Sequence, residues 1–153
     1  MKVKSPAFKE GGIIPSRYTC EGKNINPPLE IKDVPPTAKS LVLIMDDPDV
    51  PKKLRPSGIY DHWIVFNIPP HINKIDEQAS PFGAQGRNSS GQNGYTGPCP
   101  PDREHRYFFK LYALDDILDL PEGSTKKEVE EAMEGHIMMQ YEFIGRYEKG
   151  QGY

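Results

Sequence analysis

Apolar residues along this chain come in short runs and in strict alternation, and only once at helical spacing. From His105 to Leu114 the order His-Arg-Tyr-Phe-Phe-Lys-Leu-Tyr-Ala-Leu sets Arg106, Phe108 and Lys110 against Tyr107, Phe109 and Leu111. A period of two predicts a half-buried strand. Ser40 to Asp46 is the most continuous apolar run. Its length, and the prolines on either side, predict a strand buried on both faces. Tyr60 to Ile68 predicts another, closed by Pro69 and Pro70. Shorter strands are expected over residues 2–8, where lysines and Pro6 suit a sheet edge, over Leu29–Ile31, and finally over Met138–Tyr147. The single helical pattern starts at Thr125, whose partner Glu128 completes a capping box, and continues through Val129, Ala132 and Met133 to Gly135.

Together these give about six to eight strands and one helix, with no repeat and no regular alternation of strand and helix. The expected fold is mainly β, mostly antiparallel and Greek-key-like, with the helix at its periphery. Residues 71–81 read as a polar connection. Gly83 to Pro101 is nearly all turn formers, which excludes a helix or an ordinary strand. A long loop of this kind is uncommon unless it serves function, and it delivers His105 to the mouth of a strand.

Length and charge narrow the function. A chain of 153 residues is expected to form a single domain over 1–153. Its net charge of −3 gives no electrostatic support for a nucleic-acid partner. The N-terminal residues lack the apolar run of a signal peptide, and no segment approaches the roughly 20 apolar residues of a membrane span. A cytoplasmic protein is therefore expected. Cys20 and Cys99 are too few for a disulfide scaffold, and a cytoplasmic setting predicts free thiols, with pairing between their two turn-rich contexts left open.

Three polar clusters fall at strand ends: Asp47 with Asp49, Asp61 with His62, and His105 with Arg106 and Tyr107. Taken singly, each has an ordinary explanation. Asp beside Pro is a common turn former, and a histidine beside Trp63 suits a packed core. His71 and His136 read as structural or exposed, and Arg17, Lys52, Lys53 and Arg55 as solvated surface. Should the strands be neighbours, however, carboxylates, imidazoles and a phenol would line one concavity. Imidazolium and backbone N–H groups would then suit a small anion, with the carboxylates orienting the imidazoles. On that reading affinity falls as pH rises through the histidine pKa.

No metal or other cofactor is expected. Two histidines and two aspartates are plausible ligands by type, yet no short pair such as His-x-x-x-His is present. Nor is there an evident nucleophile, since Ser89 and Ser90 lie in flexible loop. A Cys99–His105 hydrolase is the minor enzymatic alternative.

Asp47-Pro48-Asp49-Val50-Pro51, then Asp61-His62-Trp63, then Gly97-Pro98-Cys99-Pro100-Pro101 leading to His105-Arg106-Tyr107-Phe108-Phe109, resemble the phosphatidylethanolamine-binding protein family. The likeness is strongest to its small prokaryotic branch, named after the Raf kinase inhibitor protein. Tyr18-Thr-Cys-Glu-Gly-Lys-Asn-Ile-Asn-Pro-Pro-Leu and Met133-Glu-Gly-His belong to the same pattern. The resemblance implies two antiparallel β-sheets and an anion pocket at one end. It implies that Asp47, His62 and His105 bind the ligand, with Asp49 in support, and that Gly97, Pro98 and Tyr107 close the wall. Phosphate, phosphorylethanolamine-like head groups and acetate are the implied ligands, and Val50–Pro51 the implied cis peptide. A non-catalytic regulatory role follows; the alternative is direct inhibition of a protein partner, a kinase or a protease. The chain departs from eukaryotic relatives at Tyr60 and Asp61 and in the charged run Asp102-Arg103-Glu104.

Overall fold

The computed structural model describes residues 1–150. Its strands are β1 (Lys2–Lys4), β2 (Leu29–Lys32), β3 (Ser40–Asp47), β4 (Tyr60–Ile68), β5 (Lys74–Ile75), β6 (Ala84–Gln85), β7 (His105–Leu114) and β8 (Ile137–Tyr147), with helix α1 (Lys126–Met133) before the last. They form two antiparallel sheets, a small one ordered β1-β2-β5 and a large one ordered β6-β4-β3-β7-β8. Within the large sheet β7 returns to lie beside β3, giving the Greek-key order. The expected β architecture is what forms.

Burial follows the sequence pattern closely. Every residue of β3 is buried, because both faces of the sheet are covered. On one side Leu41, Leu43 and Met45 pack with Trp63, Val65, Phe109 and Leu111 against Val3, Leu29 and Ile31 of the small sheet. On the other, Val42 and Ile44 join Ile64 and Phe66 beneath Val129 and Met133 of α1. In β7, Tyr107, Phe109 and Leu111 are buried, whereas Arg106 is exposed and Phe108 and Lys110 only half-buried. A fully buried large side chain contributes about 1.5–3 kcal/mol. That exceeds the roughly 1 kcal/mol span of strand propensities, so the alternation fixes the face.

Helix α1 begins as the capping box requires. The Thr125 backbone N–H donates to Glu128 Oε1 at 2.9 Å, and the Glu128 N–H donates to Thr125 Oγ1 at 3.3 Å. Two short strands lie in stretches read as connection and loop. β5 is drawn out by pairing with β2 and by burial of Ile75, and β6 by pairing with β4. Both depend on a distant partner, which a local pattern cannot report.

Two further expectations are corrected. No cis peptide bond occurs among the described residues, so Val50–Pro51 is trans. The turn closes without one: Asp47 Oδ1 accepts the Asp49 N–H at 2.8 Å, and the Pro51 carbonyl accepts the N–H groups of Leu54 and Arg55 at 2.9 and 3.1 Å. Cys20 and Cys99 are joined in a disulfide, not free, with Cα atoms 5.5 Å apart. Hydrogen bonds bring their two loops together. The Cys20 N–H donates to the Pro98 carbonyl at 3.1 Å, and the Gly97 N–H to Asn24 Oδ1 at 2.7 Å.

Candidate functional site

At one end of the large sheet, where β3 stops and β4 and β7 begin, Asp47, His62, Gly97 and His105 line a cavity of about 490 Å3. Arg55, Tyr60 and the Cys20–Cys99 pair complete much of its wall. Proline ends β3 after Asp47, since it fixes φ and removes a donor. The chain must turn there, and the turn forms the rim.

A β-bulge aims His62. The β3–β4 register steps from Met45↔Trp63 to Asp46↔Asp61, leaving His62 without a partner on β3. An extra residue of this kind re-aims side chains and is common beside functional sites. After the bulge, Tyr60 pairs with Asp47. Both line the cavity. Asp61 goes elsewhere, its carboxylate 3.3 Å from Lys126 Nζ. Asp46 binds Lys110 at 3.0 Å and Lys126 at 2.9 Å.

The His62 ring is buried, and its Nδ1–H donates to the Thr96 carbonyl at 2.7 Å. A carbonyl only accepts, so the neutral ring presents Nε2 as a lone pair. Burial, partly offset by that hydrogen bond, pushes the His62 pKa down to about 4. The ring is thus neutral from about pH 5 to 8, contrary to the expected imidazolium. It lies against Tyr60 with ring centroids 4.7 Å apart and planes tilted by 48°, and the Arg55 guanidinium lies over the Tyr60 ring at 5.0 Å.

His105 is held at both ends. Its Nδ1 lies 2.6 Å from Asp47 Oδ2 and its Nε2 lies 2.7 Å from Asp102 Oδ1. Two protons are needed to make both contacts hydrogen bonds. The Asp47 carboxyl is raised in pKa by burial, against the pull of His105. Asp102, at the surface, is lowered chiefly by its hydrogen bond to His105. The charged run Asp102-Arg103-Glu104 therefore supplies the outer clasp on His105.

The remaining expected residues lie around the cavity and not on its lining. Asp49 grips Arg106 through Oδ1 and Oδ2 at 2.8 and 3.0 Å, and this pairing holds its carboxyl well below the usual range. Pro98 is buried behind the wall and accepts the Cys20 N–H. Tyr107 is fully buried, its ring edge-on to His62 at 5.3 Å, and its hydroxyl has no hydrogen-bond partner in the protein. Burial first, and then the Asp47 charge, raise the Tyr107 pKa.

Arg55, Tyr60 and Asp102 carry no sequence signal of a site. Arg55 sits in a basic loop that reads as solvated surface, and Tyr60 and Asp102 depend on register and on a loop contact. Asp47, His105 and Asp102 form one hydrogen-bonded chain. Among the described residues no three His, Cys, Asp or Glu side chains are grouped to hold a metal ion. Cys99, bonded to Cys20, offers no thiol. No described helix is long and apolar enough to cross a membrane.

The sequence profile of the phosphatidylethanolamine-binding protein family matches residues 4–148. A UPF0098 protein of Chlamydia pneumoniae is 52% identical over 149 residues, which cover 97% of this chain and 99% of that one. One from Methanothermobacter thermautotrophicus is 51% identical over 98% of this chain and 100% of its own length. Among solved structures, a candidate phosphatidylethanolamine-binding protein homologue from Chlamydia trachomatis superposes with a TM-score of 0.94 at 50% identity, covering 96% of both chains. E. coli YbcL, a member of the mammalian PEBP family, gives 0.86 at 30% identity over 96% of this chain and 97% of that one.

Proposed function

Because the chain belongs to the phosphatidylethanolamine-binding protein family, we propose that its cavity binds a small anion, phosphate or a phosphorylated head group, in a non-catalytic regulatory role. The supporting observation is the contact of Arg55 with Tyr60 and of Tyr60 with His62 along one wall. It brings a half-buried guanidinium to a concave surface, where a fixed cation is worth more to an anion than in open solvent. Asp47 does not cancel that charge freely, because His105 is hydrogen-bonded to it.

In this reading Asp47, His62 and Arg55 meet the ligand. His105 holds Asp47 in place, Gly97 and Pro98 shape the wall, Tyr107 backs His62, and Asp49 fixes the rim through Arg106. A disulfide at the rim suits an oxidising compartment better than the reducing cytoplasm expected from the sequence. The test is a titration with inorganic phosphate and O-phosphorylethanolamine followed by NMR. The His62 ring resonances should shift, and Arg55→Ala should weaken binding about tenfold or more, the loss of one charged hydrogen bond. Saturating ligand without any response at His62 would remove the proposal.

A further inference from the structure

The hydrogen-bonding groups around the cavity are mostly accounted for, and what they leave over has a definite sense. The Gly97 N–H is taken by Asn24 at 2.7 Å. His62 Nδ1 is taken by the Thr96 carbonyl at 2.7 Å, which leaves Nε2 as an acceptor. Both His105 nitrogens are taken by carboxylates, at 2.6 and 2.7 Å. Asp47 can only accept while ionised. Among the lining side chains, donors remain on Arg55 and, through its hydroxyl, on Tyr60. Among the described lining residues Arg55 is the one guanidinium or ammonium.

The charged groups beyond the wall do not alter this balance. Asp49 is paired with Arg106, Asp46 with Lys110 and Lys126, and Asp61 with Lys126. Asp102 is engaged with His105 from outside, and the Tyr107 hydroxyl is neutral behind His62. A dianion would bring two negative charges to one cation and point bare oxygens at the lone pair of His62 and the carboxylate of Asp47. A monoanion that carries its own acidic O–H would satisfy Arg55 with its charge and donate its proton to one of those acceptors.

Resting on the anion-binding reading above, we propose that the cavity selects phosphate in its singly ionised form, as free phosphate or a phosphomonoester bearing a P–O–H, over dianions and over phosphodiesters. Burial of His62, which keeps its ring neutral down to about pH 4, supports the same sense. A free phosphomonoester is then favoured over an intact phospholipid head group, whose phosphodiester has no such proton.

The experiment is calorimetry on the unmodified, disulfide-bonded protein with methyl phosphate, dimethyl phosphate and sulfate, at about pH 5 and about pH 8. The second ionisation of a phosphomonoester lies near pH 6. Apparent affinity for methyl phosphate should therefore fall about 100-fold between the two conditions, with uptake of about one proton per ligand at the higher pH. Sulfate and dimethyl phosphate, which lack the proton, should bind at least about tenfold more weakly than methyl phosphate at the lower pH. Sulfate binding as tightly as methyl phosphate there, with the same loss on raising pH, would assign the proton to the protein and overturn the proposal while anion binding stands. Equal affinity for methyl phosphate at both pH values would overturn it in the same way. Binding of none of the three would remove the anion-binding reading and this one together.

Discussion

The Asp49 carboxylate and the Arg106 guanidinium meet side by side, and Asp49 Oδ2 also accepts the Arg106 backbone N–H at 2.8 Å. A bidentate pair fixes orientation as well as distance. This one ties the turn after β3 to the start of β7, just outside the cavity. Arg106 is more than half exposed, so solvent screens the charge, and the discounted loss on Asp49→Asn is about 1–2 kcal/mol. Urea unfolding of the variant checks it. An unchanged midpoint would mean that the turn is rigid without the pair.

His62 gives a stability that depends on pH. Its folded pKa, about 4, lies below the ordinary 6.5. As pH falls, the unfolded chain therefore takes up the proton first. The contribution is complete above about pH 6.5 and is lost between there and about pH 4, by roughly 3 kcal/mol. Other groups titrate in the same window, so the difference between the native protein and His62→Asn is the quantity to measure. That difference should shrink on acidification. A constant difference would mean that the ring does not resist protonation.

The Cys20–Cys99 bond spans 79 residues, and both cysteines are exposed at the cavity rim. A bond closing so long a loop stabilises by about 4–5 kcal/mol through the unfolded state. Reduction, or the double change of Cys20→Ser and Cys99→Ser, should lower stability by that order. Because the bond braces the Gly97–Pro101 wall, its loss should weaken anion binding as well. Denaturation and phosphate titration of the reduced protein check both, and full affinity after reduction would separate the bond from the site.

At Gly97 a side chain does not fit. A Cβ there would lie 2.4 Å from both Asn24 Oδ1 and the Tyr18 carbonyl oxygen. The second contact is with backbone, which cannot swing aside. Gly97→Ala should therefore cost about 1–3 kcal/mol as overpacking and displace the wall that meets Asn24. Thermal unfolding together with phosphate affinity gives the measure; a variant unchanged in both would show that the wall can relax.

Much of this was readable from residue order alone, and what was not has a common cause. Alternation in β7, the apolar run of β3 and the Thr125–Glu128 box report local geometry, and each formed where expected. Placing Asp47, His62 and His105 together needed the family resemblance, since nothing local joins strands so far apart in the chain. The neutral state of His62 was not legible. It follows from burial by distant parts of the chain, which outweighs the hydrogen bond to the Thr96 carbonyl. The same holds for Asp61, drawn to Lys126 of α1 although it adjoins His62, and for Asp102, whose partner His105 was read without it. The disulfide is not legible because it depends on a contact between two loops that only the fold supplies.

The most direct measurement is a crystal structure of the protein grown with phosphate near pH 5. The expected result is an ordered phosphate in the cavity, within hydrogen-bond distance of both Arg55 and His62 Nε2, with His105 still clasped between Asp47 and Asp102. Phosphate bound only outside the cavity, or within it but out of reach of both Arg55 and His62, would contradict the assignment of this site.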